Sequence, residues 1–197
     1  MGKYWSLNRE IELNETQKQV ILSGILGDGN LKRNGNNYYY RETHSRKEME
    51  YCYWKFELLR PYISKSCFHK TDKRDGQMGF QTINSPTFRE YKKLTTEEVI
   101  ERLDKFGLLL FILDDGWLSK GHLVLSGGAL TREQLELVVD KYNAEFDINC
   151  KIIGVKRLDI SFCGCNEKLI PYFQEYIPND LDVFQKKIQP ILNKFKV

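Results

Sequence analysis

The chain has 197 residues, enough for one large domain or two small, similar ones. An apolar share of 41% beside 29% charged residues reads as a soluble globular protein, and the longest apolar stretch, Leu108 to Leu113, is far short of the roughly eighteen residues that span a membrane. A net charge of +3, from 30 basic and 27 acidic residues, does not by itself call for a nucleic-acid partner, and the five cysteines (Cys52, Cys67, Cys150, Cys163, Cys165) suit no zinc site and read as reduced thiols of an intracellular protein.

In chain order, Asn14 with Gln17 three residues on forms a capping box, which predicts a helix starting near Glu15. Val20, Ile21, Leu22, Ile25 and Leu26 make that helix apolar nearly all round, hence buried, with Gly29 as its stop. Ser23, Gly24 and Gly27 lie along one side, where small residues let another helix approach closely. Leu31 to Thr43 reads as a hairpin turning at Asn34-Gly35-Asn36. Residues 46–63 follow as an amphipathic helix with Met49, Tyr53, Phe56 and Leu59 at helical spacing, then strands near 66–71 and 78–83. A second apolar helix runs through Leu108–Asp115 and ends at Gly116. A strand at 122–126, a helix at 131–146 capped by Thr131 and Gln134, strands near 150–155 and 158–163, and a helix at about 166–176 complete the pattern.

The order repeats, and so does a motif. Residues 25–31 read ILGDGNL and residues 112–118 read ILDDGWL, identical at five of seven positions, with Asp28 and Asp115 lying 87 residues apart (115 minus 28). A repeat of this length is too long for a solenoid unit and predicts two half-domains related by a pseudo-twofold axis. The expected fold is α/β (more strictly α+β), two αββαββ halves over 1–100 and 101–197, with the break near 95–105. Each aspartate falls where a helix ends. A helix C-terminus carries about half a negative charge, so an acid there is disfavoured by roughly 0.3–1 kcal/mol. If the two helices pack side by side, acids at matched positions converge, and like charges in close quarters raise one another's pKa or demand a cation. Oxygen-only ligands on such a site imply Mg²⁺ or a similar divalent ion.

ILSGILGDGNL (21–31) and GLLLFILDDGWL (107–118) resemble the two signature helices of the LAGLIDADG homing endonucleases, most closely the single-chain, intron-encoded kind whose second motif ends Asp-Asp-Gly. His44-Ser45, then Tyr51 and Trp54-Lys55, are similar to a family segment in which an HS pair leads into a Tyr/Trp-Lys helix, and residues 123–152 are similar to the strand-and-helix unit after the second motif. Leu110 and Phe111 depart from the small residues expected in the second helix. The resemblance implies signature helices at the interface of the halves and antiparallel sheets forming a saddle over double-stranded DNA. It implies metal-dependent cutting of both strands of a long asymmetric target, leaving short 3′ overhangs, by a monomer in a bacterial, phage or organellar setting. Asp28 and Asp115 would bind the metals, Mg²⁺ or Mn²⁺, with Ca²⁺ binding without turnover. Gly27 and Asp114 would offer backbone carbonyls. Lys93 and Lys186 match the family's basic residue in each half, with Lys92 and Lys187 one position away. An RNA-binding intron maturase, or a non-catalytic DNA-binding protein, is the alternative on the same fold.

Basic residues recur in strand-like segments that also carry Tyr, Phe and Gln, a pattern that favours nucleic acid. Candidate DNA contacts are Lys32, Arg33, Tyr38, Tyr40, Arg41, Lys70, Lys73, Arg74, Gln81, Lys151, Lys156 and Arg157. Alternation sets Tyr38, Tyr40 and Glu42 on one face and Tyr39, Arg41 and Thr43 on the other. Arg and Gln suit bidentate readout of G and A, whereas Lys more often holds phosphate. Residues 122–130 are poorer in such groups than 31–43, so the two half-sites should differ in stringency.

Overall fold

A computed structural model describes residues 10–63, 69–71 and 77–195. The chain divides into two compact units, residues 1–95 and 96–197. In the first, α1 (Glu15–Leu26) starts at the expected capping box. Asn14 Oδ1 accepts from the Gln17 amide at 2.9 Å, and Gln17 Oε1 accepts from the Asn14 amide at 3.1 Å. Strands β1 (Gly29–Asn34) and β2 (Asn37–Ser45) form the hairpin, with Gly35 at φ +60° in the turn, the conformation a tight hairpin requires.

Next come a 3₁₀ turn (Arg46–Glu48), α2 (Met49–Leu58) and a second 3₁₀ turn (Arg60–Tyr62). The single helix expected over 46–63 is therefore interrupted. Pro61, near the start of the second turn, lacks an amide hydrogen and cannot extend the α-helical hydrogen-bond ladder. The buried side of α2 also differs from the expected one. Met49 and Tyr53 are exposed, whereas Tyr51, Cys52 and Lys55 are buried, because Lys55 pairs with a carboxylate inside the unit. Strands β3 (His69–Thr71) and β4 (Gln77–Gln81) and helix α3 (Phe88–Lys93) follow. The antiparallel sheet runs β1-β2-β4-β3, with α1 and α2 packed on it over Val20, Ile21, Tyr40, Tyr51 and Phe80.

The second unit opens with α4 (Thr96–Arg102) and α5 (Lys105–Asp115), the latter capped by Asp104, whose carboxylate accepts from the Gly107 amide at 2.9 Å. Strands β5 (Gly116–Ser119) and β6 (His122–Ser126) meet at a two-residue turn in which Lys120 and Gly121 both have positive φ. Then come α6 (Arg132–Phe146), again with a full capping box, β7 (Lys151–Ile153), β8 (Asp159–Ser161), α7 (Asn166–Tyr176), α8 (Asp182–Lys187) and α9 (Gln189–Phe195). The sheet order β5-β6-β8-β7 repeats that of the first unit. Helix α4 belongs here because Glu97 accepts from Gln134 Nε2 at 2.7 Å and Lys141 Nζ donates to the Glu101 carbonyl at 2.9 Å, which sets the division at 95/96. Of the described cysteines, Cys52, Cys150 and Cys165 are buried thiols and Cys163 is exposed. No helix among the described residues is long and apolar enough to cross a membrane.

Candidate active site and nucleic-acid interface

Helix α1 does not end on its aspartate. It stops at Leu26, and the Gly27 amide still donates to the Ser23 carbonyl at 3.0 Å. Asp28 is then the hinge into β1, since the strand begins at Gly29. Gly29 is therefore the first strand residue and not the helix stop. Its missing side chain serves another purpose: a Cβ at Gly29 or at Gly24 would collide with the Tyr40 ring. Gly24 thus makes room for a tyrosine of its own sheet. Tyr40 is fully buried, so it is withdrawn as a DNA contact, and the half-buried Tyr38 shares its strand face.

Behind Asp28 lies a buried polar cluster. His44 Nδ1 stands 3.2 Å from Asp28 Oδ2. On the other side of the imidazole, Nε2 meets Glu42 Oε1 at 2.6 Å. The same oxygen accepts from Lys55 Nζ at 2.6 Å, and Glu42 Oε2 accepts a short hydrogen bond from the Tyr40 hydroxyl. Lys55 also lies over the Tyr51 ring, 4.8 Å from its centroid. Asp28 is about one-third exposed, whereas the His44, Glu42 and Lys55 side chains are almost wholly enclosed. Burial pushes the Glu42 carboxyl up, but the Lys55 ammonium and the His44 imidazole outweigh it and hold the group down at about 2. Burial likewise disfavours a charged His44, yet the Asp28 carboxylate beside Nδ1, the hydrogen bond to Glu42 and the charge of Glu42 raise it to about 10.

In the second unit α5 runs through both acids, and Asp114 and Asp115 are half-buried at its end. The adjacent lysines of α8 part company. Lys186 is exposed, whereas Lys187 is buried and its Nζ donates to the Leu113 carbonyl in a short hydrogen bond, with the Asp114 carbonyl at 3.4 Å. A cation at the end of α5 satisfies carbonyls that have no partner within the helix and offsets the negative end of its dipole. Lys92 and Lys93 separate in the same way. Lys93 borders a cleft with Glu10, Glu12, Arg89 and Glu90, while Lys92 borders one with Ile25, Gly29 and Asn30, on the flank of the α1–β1 junction.

The outer face of the first sheet follows from the register. Arg41 pairs with Asn30 on one side and Gln81 on the other, and Tyr39 pairs with Lys32. These five residues, with Thr43 and Gln77, make a polar, exposed to half-exposed surface rich in hydrogen-bonding groups. Tyr39, Asn30 and Gln77 were not singled out from sequence. The signal for Tyr39 was its alternation with Tyr40, but alternation does not say which face is inside. Arg33 is exposed and its Nε donates to the Gly35 carbonyl at 3.0 Å. In the second unit Lys151, Lys156 and Arg157 are exposed, and Arg157 lies over the Trp117 ring while its Nη2 donates to Ser126 Oγ at 3.1 Å. Lys70 lies in β3, and Lys73 and Arg74 lie outside the described residues.

Two matched units, each with a helix delivering an acid to the first strand of a four-stranded antiparallel sheet, define a class of fold that solved structures share. The homing endonuclease I-WcaI bound to its DNA recognition sequence aligns over 87% of this chain and 86% of its own, with a TM-score of 0.71 at 18% identity. I-DmoI in complex with DNA and Mn aligns over 80% and 96%, with a TM-score of 0.51 at 17% identity. Residues 18–173 match the model of the LAGLIDADG DNA endonuclease family, and the chain belongs to that family. DNA endonuclease I-ChuI of Chlamydomonas applanata is 27% identical over 139 residues, which are 57% of this chain; the match spans 64% of that relative's length.

Proposed function

We propose that the chain is a site-specific homing endonuclease that makes metal-dependent double-strand breaks in DNA. The observation that carries this reading is the recurrence of a half-exposed aspartate at the junction of an apolar helix with the first strand of each sheet, Asp28 before Gly29 and Asp115 before Gly116. Carboxylates held on rigid elements at an open surface fit a hard divalent cation, magnesium or manganese. Such a cation, when bound, polarises the scissile phosphate and makes water a better nucleophile. The chain's own groups do the rest. Asp28 and Asp115 would hold the cations, with the Gly27 carbonyl beside the first and the Asp114 carbonyl, which Lys187 Nζ approaches at 3.4 Å, beside the second. Lys187 steadies the end of α5, and Lys92 flanks the α1–β1 junction as a cation for phosphate charge. The outer face of the first sheet, through Lys32, Arg41 and Gln81, reads bases and holds phosphates in the major groove. The second unit offers Lys151 on β7 and Arg157 in the bend before β8, beside strands otherwise poor in basic groups, so the target is asymmetric, and one chain with two unlike halves binds it as a monomer.

The test is cleavage of a duplex selected from randomised DNA. Wild-type protein should linearise a plasmid bearing it in Mg²⁺ and fail in EDTA. Asp28→Asn and Asp115→Asn should each lose at least about a hundredfold in rate, the scale of several kcal/mol of transition-state stabilisation, while binding DNA normally in Ca²⁺. Wild-type cleavage by either variant would refute the assignment.

A further inference from the structure

The Glu42–His44–Lys55 cluster is expensive as a piece of core. Taking charges out of water costs several kcal/mol per ion, and replacing a buried ion pair with apolar side chains of like volume is often neutral or stabilising. The second unit shows the same sheet built without it. Gly29 pairs with Glu42 and Gly116 with Leu125, so Glu42 corresponds to Leu125, and His44, two residues further on, corresponds to Gly127. Stability of the fold therefore does not require these groups. What distinguishes the cluster is its direction. Lys55 and the Tyr40 hydroxyl both converge on Glu42. Glu42 holds one edge of the imidazole, and the opposite edge, Nδ1, lies 3.2 Å from a carboxylate oxygen of Asp28. The contacting groups of His44, Glu42 and Lys55 are enclosed, while Asp28 opens toward solvent. A buried imidazole anchored through Nε2, with its Nδ1 edge 3.2 Å from one oxygen of a half-exposed carboxylate, is the arrangement by which an outer ring of groups orients a metal ligand.

We propose that His44 is a positioning residue for Asp28: anchored from behind by Glu42 and Lys55, it holds the carboxylate in the orientation that receives a divalent cation. The inference rests on reading Asp28 as a cation ligand. His44 neither touches DNA nor ligates the cation in this role; it acts through Asp28.

Two near-isosteric substitutions separate this role from a purely structural one. In His44→Asn the side-chain amide nitrogen stands near the place of Nδ1, which keeps a donor toward Asp28 and gives up the bond to Glu42. In His44→Gln the amide reaches the place of Nε2, which keeps the anchor to Glu42 and gives up the donor. Mn²⁺ binding to the full chain, followed by the electron paramagnetic resonance of free Mn²⁺, and thermal unfolding would be measured for both. His44→Asn should hold Mn²⁺ within about threefold of wild type and His44→Gln about tenfold more weakly, the low end of the usual cost of losing such a support. This order should hold even where His44→Gln is the more stable of the two. In cleavage, His44→Gln should raise the Mg²⁺ concentration for half-maximal rate by a similar factor and leave the rate at saturation nearly unchanged. Glu42→Gln/Lys55→Met, which removes both buried charges together, is the second arm and should lose Mn²⁺ affinity as His44→Gln does. Wild-type Mn²⁺ affinity in His44→Gln or in that double variant, or affinity that simply follows melting temperature, would overturn the proposal. Asp28→Asn is the control. If it binds Mn²⁺ and cleaves like wild type, the reading of Asp28 itself fails. If it loses both while His44→Gln does not, only the role of His44 fails.

Discussion

Four residues before Asp28 stands Gly24, and four before Asp115 stands Phe111. The strand residues at corresponding register differ in the opposite sense: Tyr40, paired with Leu31, in the first sheet, and Leu123, paired with Leu118, in the second. Where the helix gives up a side chain, the sheet supplies a large one. The small residues of α1, which look like a surface for another helix, are in part the complement of a tyrosine. The halves differ just as much in how they treat the helix end. The first backs Asp28 with a buried charged cluster built on β2 and α2, whereas the second lines the corresponding strand with Leu123 and Leu125 and brings a cation, Lys187, from near the end of the chain. An internal repeat preserves element order and sheet topology, and the chemistry that supports each acid diverges beneath it.

That contrast can be broken from the first half. Glu42→Gln takes from Lys55 and His44 the buried carboxylate they share and should cost about 3–5 kcal/mol in chemical denaturation at pH 7. Leu125→Gln at the corresponding place strands a polar group in an apolar setting and should cost less, about 1–3 kcal/mol. The Glu42 effect should also depend on pH. Its carboxyl is held at about 2 when folded and titrates near 4.5 in the unfolded chain, so folding releases its proton. The stabilisation is therefore present above about pH 4.5 and is lost as pH falls through about 2, and the gap between wild type and Glu42→Gln should close over that range. A gap that does not change with pH would mean that Glu42 is not ionised in the core.

Opposite changes at the matched helix positions sharpen the size complementarity. Phe111→Ala opens a cavity and should cost about 3–5 kcal/mol. Gly24→Ala overpacks against Tyr40 and should cost about 1–3 kcal/mol despite the better helix propensity of alanine. On a Tyr40→Phe background, which removes the hydroxyl that the new Cβ meets first, the Gly24→Ala penalty should shrink. A double-mutant cycle should return a coupling of about 0.5–3 kcal/mol, and strict additivity would show that Tyr40 is not what Gly24 accommodates.

The smallest effects separate adjacent lysines. Lys187→Met leaves carbonyls at the end of α5 without their donor and should lower stability by about 1–3 kcal/mol, whereas Lys186→Met, on the exposed side of α8, should stay within about 0.5 kcal/mol of wild type. Equal losses would remove the distinction. Thermal unfolding of the two variants side by side decides it.

Much of this molecule is written locally. The capping boxes at Asn14 and Thr131, the hairpin turn at Gly35 and the repeated motif around Asp28 and Asp115 depend on residues within a few positions of one another, so the sequence alone determined where those helices start, where that hairpin turns and that the chain is built twice. It also singled out the acids that stand at or just beyond the ends of the apolar helices, because a carboxylate there stands out against the electrostatics of helix termini. Tertiary structure decided what local pattern leaves ambiguous. Period-two alternation sorted Tyr39 from Tyr40, but only pairing of Tyr40 with Leu31 and its packing over Gly24 placed Tyr40 inside. Helical spacing allowed α2 to bury Phe56 and Met49, and it was Glu42, thirteen residues away, that turned Lys55 inward. The choice between Lys186 and Lys187 turns on the Leu113 carbonyl, 74 residues distant in the chain. A charge enters a protein interior only where a partner waits for it, and that partner is set by how the chain folds back on itself rather than by the neighbouring residues.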